Sequence, residues 1–331
     1  MAQERLVAVS YPVDDEFAQI NAEVLGGDAA LVYTDELSDE AREQALRDAE
    51  ALLAWDLPKE VPAGALRESP RLRIAQLLSA GVDDIDFSRV PASLIVASNA
   101  GAYAGAVAEH AVAMVLSLAK HLPERHAALA AGRFDKWAPS LALDGAMCAI
   151  LGFGGIGSAA ARLLRAFGAR IHAVNRTGRT SEAVEYVTTL ADLDLVLATA
   201  DVIVISLPLT LATRGLIGRN EFAVMRPGAV LVNVARGPIV DQQALYEHLR
   251  ANPDFRAGID TWWGEPQGGE PFRTDYPFFE LPNVIGSPHN SSVVPGTMLA
   301  GARAAAENVR RYLRGEAVRG VVRRADYVPG G

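Results

Sequence analysis

Cysteine is nearly absent: Cys148 stands alone among 331 residues. An internal disulfide is therefore excluded, and no Cys/His spacing suggests structural zinc. Long apolar runs are missing too, and none approaches the ~20 residues of a membrane span. The start, "MAQERLVAVSYP", lacks a basic segment followed by a long apolar run. No secretory signal is visible, and the cytoplasm is the expected location. Positive charge is in deficit. The formal net charge is −9, so the phosphates of nucleic acid or of an anionic membrane would be repelled. The basic run Arg310, Arg311, Arg314, Arg319, Arg323 and Arg324 lacks interleaved aromatics and reads as the solvated face of a last helix and its tail. There is no internal repeat, no low-complexity tract, no GxSxG elbow and no Walker loop.

What is present points to a globular α/β protein. Hydrophobic residues make up 50% and charged ones 21%. The length exceeds one ordinary core, so two domains are expected. Short apolar runs alternate with helical patterns. Strands are expected at Leu6–Ser10, Ala30–Tyr33, Ala51–Trp55, Leu72–Leu77 and Leu94–Ala97, with a helix that Ser38 caps. An Ala-rich helix follows, from about Ala102 to Leu122, then the loop "GRFDKWAP". A second set of strands begins with "AMCAIL", which makes Cys148 a core strand residue, and continues with "RIHAV", "VIVISL", "AVLVNVA", "RAGID" and "NVIGS". Strands alternating with helices imply parallel sheets with right-handed crossovers. The final helix, roughly Val294 to Leu313, is placed to cross back to the first half.

The first expected strand of the second set runs into "GFGGIG", with Gly152, Gly154 and Gly157, then a helix to Phe167, a closing Gly168 and a new strand. That is a complete strand–helix–strand unit of about thirty residues, the context that gives the pattern meaning. Gly152 permits a tight turn, Gly154 lets backbone approach a pyrophosphate, and Gly157 lets helix and sheet pack closely. Gly155 and Ile156 open the helix, whose free amides and positive end favour phosphate.

A further absence lies at the end of the next strand. A carboxylate that would hold the ribose of NAD is expected there, and the chain has Asn175, Arg176 and Thr177, with Arg179 close behind. A carboxylate 4 Å from a 2′-phosphate costs about 4 kcal/mol at an effective dielectric near 20. Its removal and the added guanidiniums, which hold phosphate through paired bonds, point to NADPH. The alternative is that Asn175 bonds the ribose of NADH and the arginines face solvent.

Ligands of a doubly wound sheet bind beyond the carboxyl ends of its strands. Three ends deliver Arg236, then Asp260 with Glu265, then His289. With these residues in view, the chain resembles the D-isomer-specific 2-hydroxyacid dehydrogenases along nearly its whole length. "VLVNVARGPIVDQQAL", "AGIDTWWGEP" and "VIGSPH" resemble that family's Arg, Glu and His segments. "LLSAGVDDID" and "NAGAYAGAVAEHAVAMVLSLAKHL" resemble its substrate loop and first interdomain helix.

The resemblance implies α/β architecture with two doubly wound parallel-sheet domains. These are a Rossmann cofactor domain at 100–290 and a flavodoxin-like discontinuous substrate domain at 1–99 and 291–331. It implies that Arg236 polarises a keto-acid carbonyl, that His289 is the general acid/base, and that Glu265 favours the imidazolium. It also implies that amides of Ala80, Gly81 and Val82 bind the substrate carboxylate and that Asp260 holds the nicotinamide amide. Leu207, Pro208, Ala235 and His289 join the cofactor-binding set. The reading is an NADPH-dependent reductase of glyoxylate or hydroxypyruvate, pairing as a homodimer through the apolar face "AEHAVAMVLSLA". Two rivals stand beside it: an NAD-dependent enzyme of a larger 2-hydroxy acid, and a non-enzymatic dinucleotide-sensing scaffold of the corepressor kind.

Some positions depart from the family pattern: Ser287 for Thr, Ser206 in "SLP" for His, and Ala100 for Pro. The pair Trp262–Trp263 is similar to the formate dehydrogenase branch, which carries Gln where this chain has Glu265. Trp137, Trp262 and Trp263 are expected to pack, and Trp263 also lies near enough to Glu265 to line a pocket. "HLPERH" lacks zinc-helix spacing and reads as a solvated helix junction broken by Pro123.

Overall fold

The computed structural model describes residues 5–62, 64–266 and 269–328. In chain order the first elements are β1 (Leu6–Val9), α1 (Asp15–Leu25), β2 (Ala30–Tyr33), α2 (Asp39–Asp48), β3 (Ala51–Ala54), α3 (Leu57–Glu60), β4 (Ile74–Leu77) and β5 (Ile95–Ala97). There follow α4 (Ala104–Ala119), α5 (Leu122–Ala130), β6 (Met147–Leu151), α6 (Gly155–Ala166), β7 (Arg170–Val174), β8 (Tyr186–Thr188), α7 (Leu193–Thr199) and β9 (Val202–Ile205). The last are α8 (Arg219–Val224), β10 (Val230–Asn233), α9 (Gln242–Ala251), β11 (Arg256–Ile259), β12 (Val284–Gly286) and α10 (Thr297–Leu313). No described helix is long and apolar enough to cross a membrane.

The chain divides into two compact units, 1–103 with 294–331, and 104–293. The first holds a parallel sheet of order β2-β1-β3-β4-β5, the flavodoxin-like order. Its strand residues alternate between faces. Ala8, Leu52 and Ala75 pack on one side, while Val7, Val9, Leu53 and Ile74 pack with α1 and α10 on the other. Thus α10, last in sequence, completes the first core. Helix starts follow their caps: Asp14 accepts from the Phe17 amide at 2.9 Å and Ser38 from the Ala41 amide at 3.4 Å. The basic run is less solvent-bound than its charge suggests. Arg314 forms paired bonds to Asp28 at 3.0 and 2.9 Å, and Arg324 lies over Phe87 and donates to the Phe87 carbonyl at 3.3 Å.

The second unit holds an all-parallel sheet of order β12-β11-β10-β9-β6-β7-β8. Numbered from β6, this is the Rossmann order 3-2-1-4-5-6 with one strand added, and the order reverses between β6 and β9. Strands β6, β9 and β10 are buried throughout, as strands covered on both faces must be. β8 is an addition to the sequence expectation. The Ala-rich helix also stops sooner than expected, at Ala119. Pro123 has no N–H to give the Ala119 carbonyl, which accepts from the Leu141 amide at 3.0 Å instead. His121 turns left-handed (φ 54°), and Pro123 sits in the first turn of α5. The junction is not simply solvated. Arg256 approaches the His121 ring nitrogen at 2.8 Å and donates to Glu124 at 3.2 Å.

The apolar face of α4 is used within its own unit. Val107, Ala111, Val112, Val115 and Leu118 are buried, and the helix packs on α6, β10 and β11. Large exposed apolar groups nearby in sequence include Leu122, Leu129, Phe134 and Trp137, the last two 80% and 82% exposed. Trp137 therefore does not pack as the sequence suggests; Lys136 lies 5.0 Å from its ring centre.

Candidate active site

The glycine turn sits at the point where the strand order of the second sheet reverses. Gly152 has φ +98°, and a Cβ there would come within 2.5 Å of the Ser206 carbonyl carbon. Ser206, at the end of β9, donates its hydroxyl to the Gly152 carbonyl at 2.7 Å. A Cβ on Gly157 would meet the same carbonyl at 2.0 Å, so α6 can lie this close only with glycine. Gly154 differs: nothing lies within 4 Å of where its Cβ would be. Close packing does not demand that glycine. Open space before the α6 N-terminus, which carries no acidic residue in its first turn, fits a bound anion. Leu207 and Pro208 continue from β9 beside this turn.

At the end of β7 the Asn175 side chain builds the next loop. Its oxygen accepts from the Thr177 amide at 2.9 Å, the Gly178 amide at 2.8 Å and the Thr177 hydroxyl at 3.2 Å, and its nitrogen donates to the Arg179 carbonyl at 2.8 Å. An Asx-type turn of this kind mimics a backbone turn. Arg176, Thr177 and Arg179 are exposed on it.

The ends of β10, β11 and β12 bring Arg236, Glu265 and His289 together. Asn233 fixes the turn after β10, accepting from the Ala235 amide at 3.0 Å and donating to the Arg236 carbonyl at 2.9 Å. Arg236 donates to the Ala235 carbonyl at 2.8 Å. Gly237 lies so near the Trp262 backbone that a Cβ would be 2.4 Å from its carbonyl carbon. This contact seats the Arg236 turn against the segment carrying Glu265. One Glu265 oxygen accepts from the Trp262 amide at 3.1 Å; the other lies 2.8 Å from His289 Nδ1. Burial works to raise the pKa of Glu265. The His289 hydrogen bond and charge, the Trp262 amide and the Arg236 charge outweigh it and hold the carboxyl below its ordinary value. His289 adopts φ +50°, a left-handed conformation rare for a non-glycine residue, and its amide donates to the Asp260 carbonyl at 2.9 Å.

Asp260 is fully buried at the end of β11. Its Oδ1 accepts from the Ser287 hydroxyl at 2.5 Å, and that hydroxyl lies 2.9 Å from His110 Nε2 on α4. Asp260 Oδ2 and Thr261 Oγ1 are buried without a hydrogen-bond partner. An acceptor left this way at a strand end fits a ligand that brings an N–H donor. Trp263 packs: its ring stacks on Phe278 and its nitrogen donates to the Val240 carbonyl at 2.6 Å. Ala80, Gly81 and Val82 follow β4 in the first unit, where the Ser79 hydroxyl donates to the Gly81 carbonyl at 2.9 Å. The sequence reading missed His110. Its one signal is an imidazole next to Glu109 in the mostly apolar "VAEHAVAMV".

Among known proteins, the NAD binding domain of the D-isomer specific 2-hydroxyacid dehydrogenases matches residues 112–291. The chain is 31% identical over 287 residues to D-3-phosphoglycerate dehydrogenase of Archaeoglobus fulgidus, a match covering 85% of this chain and 53% of that protein. It is 31% identical over 290 residues to glyoxylate reductase of Thermococcus gammatolerans, covering 85% of each. Among solved structures, a D-isomer specific 2-hydroxyacid dehydrogenase from Xanthobacter autotrophicus, in complex with NADPH and MES, matches with TM-score 0.77 at 27% identity. That match covers 98% of this chain and 100% of the other. The chain spans little more than half the length of the phosphoglycerate dehydrogenases, 53%, 59% and 57% of three of them.

Proposed function

The chain belongs to the D-isomer-specific 2-hydroxyacid dehydrogenase family, and from that premise we propose that it is a cytoplasmic, NADPH-dependent reductase of small 2-keto acids such as glyoxylate or hydroxypyruvate. The observation that carries the proposal is the Glu265–His289 contact of 2.8 Å beside Arg236. The bound dinucleotide supplies the hydride. Glu265, held as an anion, accepts a hydrogen bond from His289 Nδ1–H and so orients the ring. Nε2, on the far side of the ring, gives a proton to the carbonyl oxygen in reduction and takes one back in oxidation. Arg236 pairs with the substrate and stabilises negative charge developing on that oxygen. The amides of Ala80, Gly81 and Val82 belong to the same proposal, as donors to the substrate carboxylate.

The preference for NADPH rests on the 175–179 loop. Its first residue is neutral, and Arg176 with Arg179 supplies the positive charge that a 2′-phosphate needs. Gly152, Gly154, Gly155, Ile156 and Gly157 cradle the pyrophosphate, with Leu207, Pro208 and Ala235 lining the same edge. The bound NADPH of the Xanthobacter relative supports this reading, and the glyoxylate reductase relative supports a small substrate. A homodimer is part of the proposal, with exposed Phe134 and Trp137 as its contact.

The test is kcat/KM for glyoxylate, hydroxypyruvate and 3-phosphoglycerate, in the appropriate directions, with both cofactors. Faster turnover of the small keto acids with NADPH is expected. An NADH preference would overturn the cofactor assignment. Activity confined to 3-phosphoglycerate would overturn the substrate. Tight dinucleotide binding without turnover of any acid would favour the non-enzymatic scaffold.

A further inference from the structure

We propose that Ser287 and His110 are positioning residues that fix the Asp260 carboxylate to hold the carboxamide of the nicotinamide ring. The inference rests on the dinucleotide reading above and goes beyond it by assigning work to two side chains that touch no substrate. A buried carboxylate is tolerated only when its oxygens are partnered. Asp260 is fully buried, and one oxygen has its partner in Ser287 at 2.5 Å. Its Oδ2 lacks one, as does the hydroxyl of adjacent Thr261.

The polarity of the chain of bonds is fixed by proton count. A serine hydroxyl has one proton. That proton goes to Asp260 Oδ1, so the Ser287 oxygen must accept from His110 Nε2–H at 2.9 Å. His110 is therefore protonated at Nε2. Bonds aligned in this sense strengthen one another. Held from α4, which packs on β10 and β11, the carboxylate cannot rotate freely. Its Oδ2 is left as an acceptor-only atom that calls for an N–H donor, and a primary amide is such a group. The same residue's main-chain carbonyl accepts from the His289 amide at 2.9 Å. Asp260 would thus seat the proton donor through its backbone and the hydride carrier through its side chain. The pairing explains why Ser is sufficient at position 287: the chain needs the hydroxyl, not the methyl group of Thr.

The test compares Kd for oxidised NADP with Kd for its 3-acetylpyridine analogue, which lacks the amide N–H. Both are measured by calorimetry on the full chain and on Ser287→Ala, Ser287→Thr and His110→Phe. Wild type and Ser287→Thr should favour the carboxamide form by about tenfold, the scale of a hydrogen bond to a charged group. Ser287→Ala should bring the ratio near one, and His110→Phe should lower it part of the way. A ratio in Ser287→Ala equal to wild type, or equal affinity for the two dinucleotides in wild type, would overturn the proposal. So would equal weakening of both dinucleotides in every variant, the mark of a merely structural role. Wild type binding neither dinucleotide would instead sink the cofactor reading on which the proposal stands.

Discussion

The two sheets share a class and differ at their carboxyl ends. In the second unit those ends carry Arg236, Asp260, Glu265 and His289, ionisable groups set against one another. In the first unit the corresponding edge also carries carboxylates, but they meet backbone amides, hydroxyls and a lysine. Asp56 lies 2.7 Å from the Lys59 ammonium, and Glu60 accepts from the Trp55 and Asp56 amides at 3.0 and 2.8 Å and from the Ser10 hydroxyl at 2.7 Å. Glu60 ties down loops, and Glu265 faces a histidine. The lesson is that an acidic side chain at a parallel-sheet edge has no function fixed by position. What its oxygens meet decides whether it supports chemistry or structure.

The largest effect that would break this contrast concerns His289. His289→Ala should lower kcat by about 100-fold or more, the scale of a general acid. A near-wild-type kcat would remove the second sheet's claim to the chemistry. Next comes the 175–179 loop. Arg176→Ala should raise KM for NADPH by about tenfold and leave that for NADH nearly unchanged. Equal losses with both would mean that Arg176 does not read the phosphate. In the first unit, Glu60→Gln should lower stability by about 1 kcal/mol in urea titrations, through poorer acceptance at three donors. The pH dependence of kcat should stay as in wild type, and an altered profile would blur the distinction between the sheets.

The smallest effect is on stability against pH. The folded-state pKa of Glu265 is depressed. Its contribution is therefore present above the ordinary carboxylate value and is lost as pH falls through the lower folded value. The Tm gap between wild type and Glu265→Gln should be widest near neutrality and close in acid. A gap that widens in acid would contradict the direction of the shift.

Much of this site was legible because glycine, proline and strand ends leave signals that depend on geometry alone. "GFGGIG" in a strand–helix–strand frame located the turn, and counting strands located Arg236, Asp260 and His289 at one edge. β8 escaped notice. It is three residues long, only partly buried and set among polar residues, so no apolar run marks it. The α4 stripe was read correctly as apolar, but periodicity says that a face is covered and not by what. Within its own unit it packs on α6, β10 and β11. His110 and the loop-building role of Asn175 were hidden for a related reason. A side chain's hydrogen-bond partners lie in other segments or depend on the exact turn, and neither is written in local spacing.

The most direct test of the central claim is the rate of glyoxylate reduction by NADPH as a function of pH, in wild type and in His289→Ala. If His289 delivers the proton, the wild-type rate falls as pH rises, and the variant's much lower rate loses that dependence. A variant that keeps the wild-type pH profile would contradict the account.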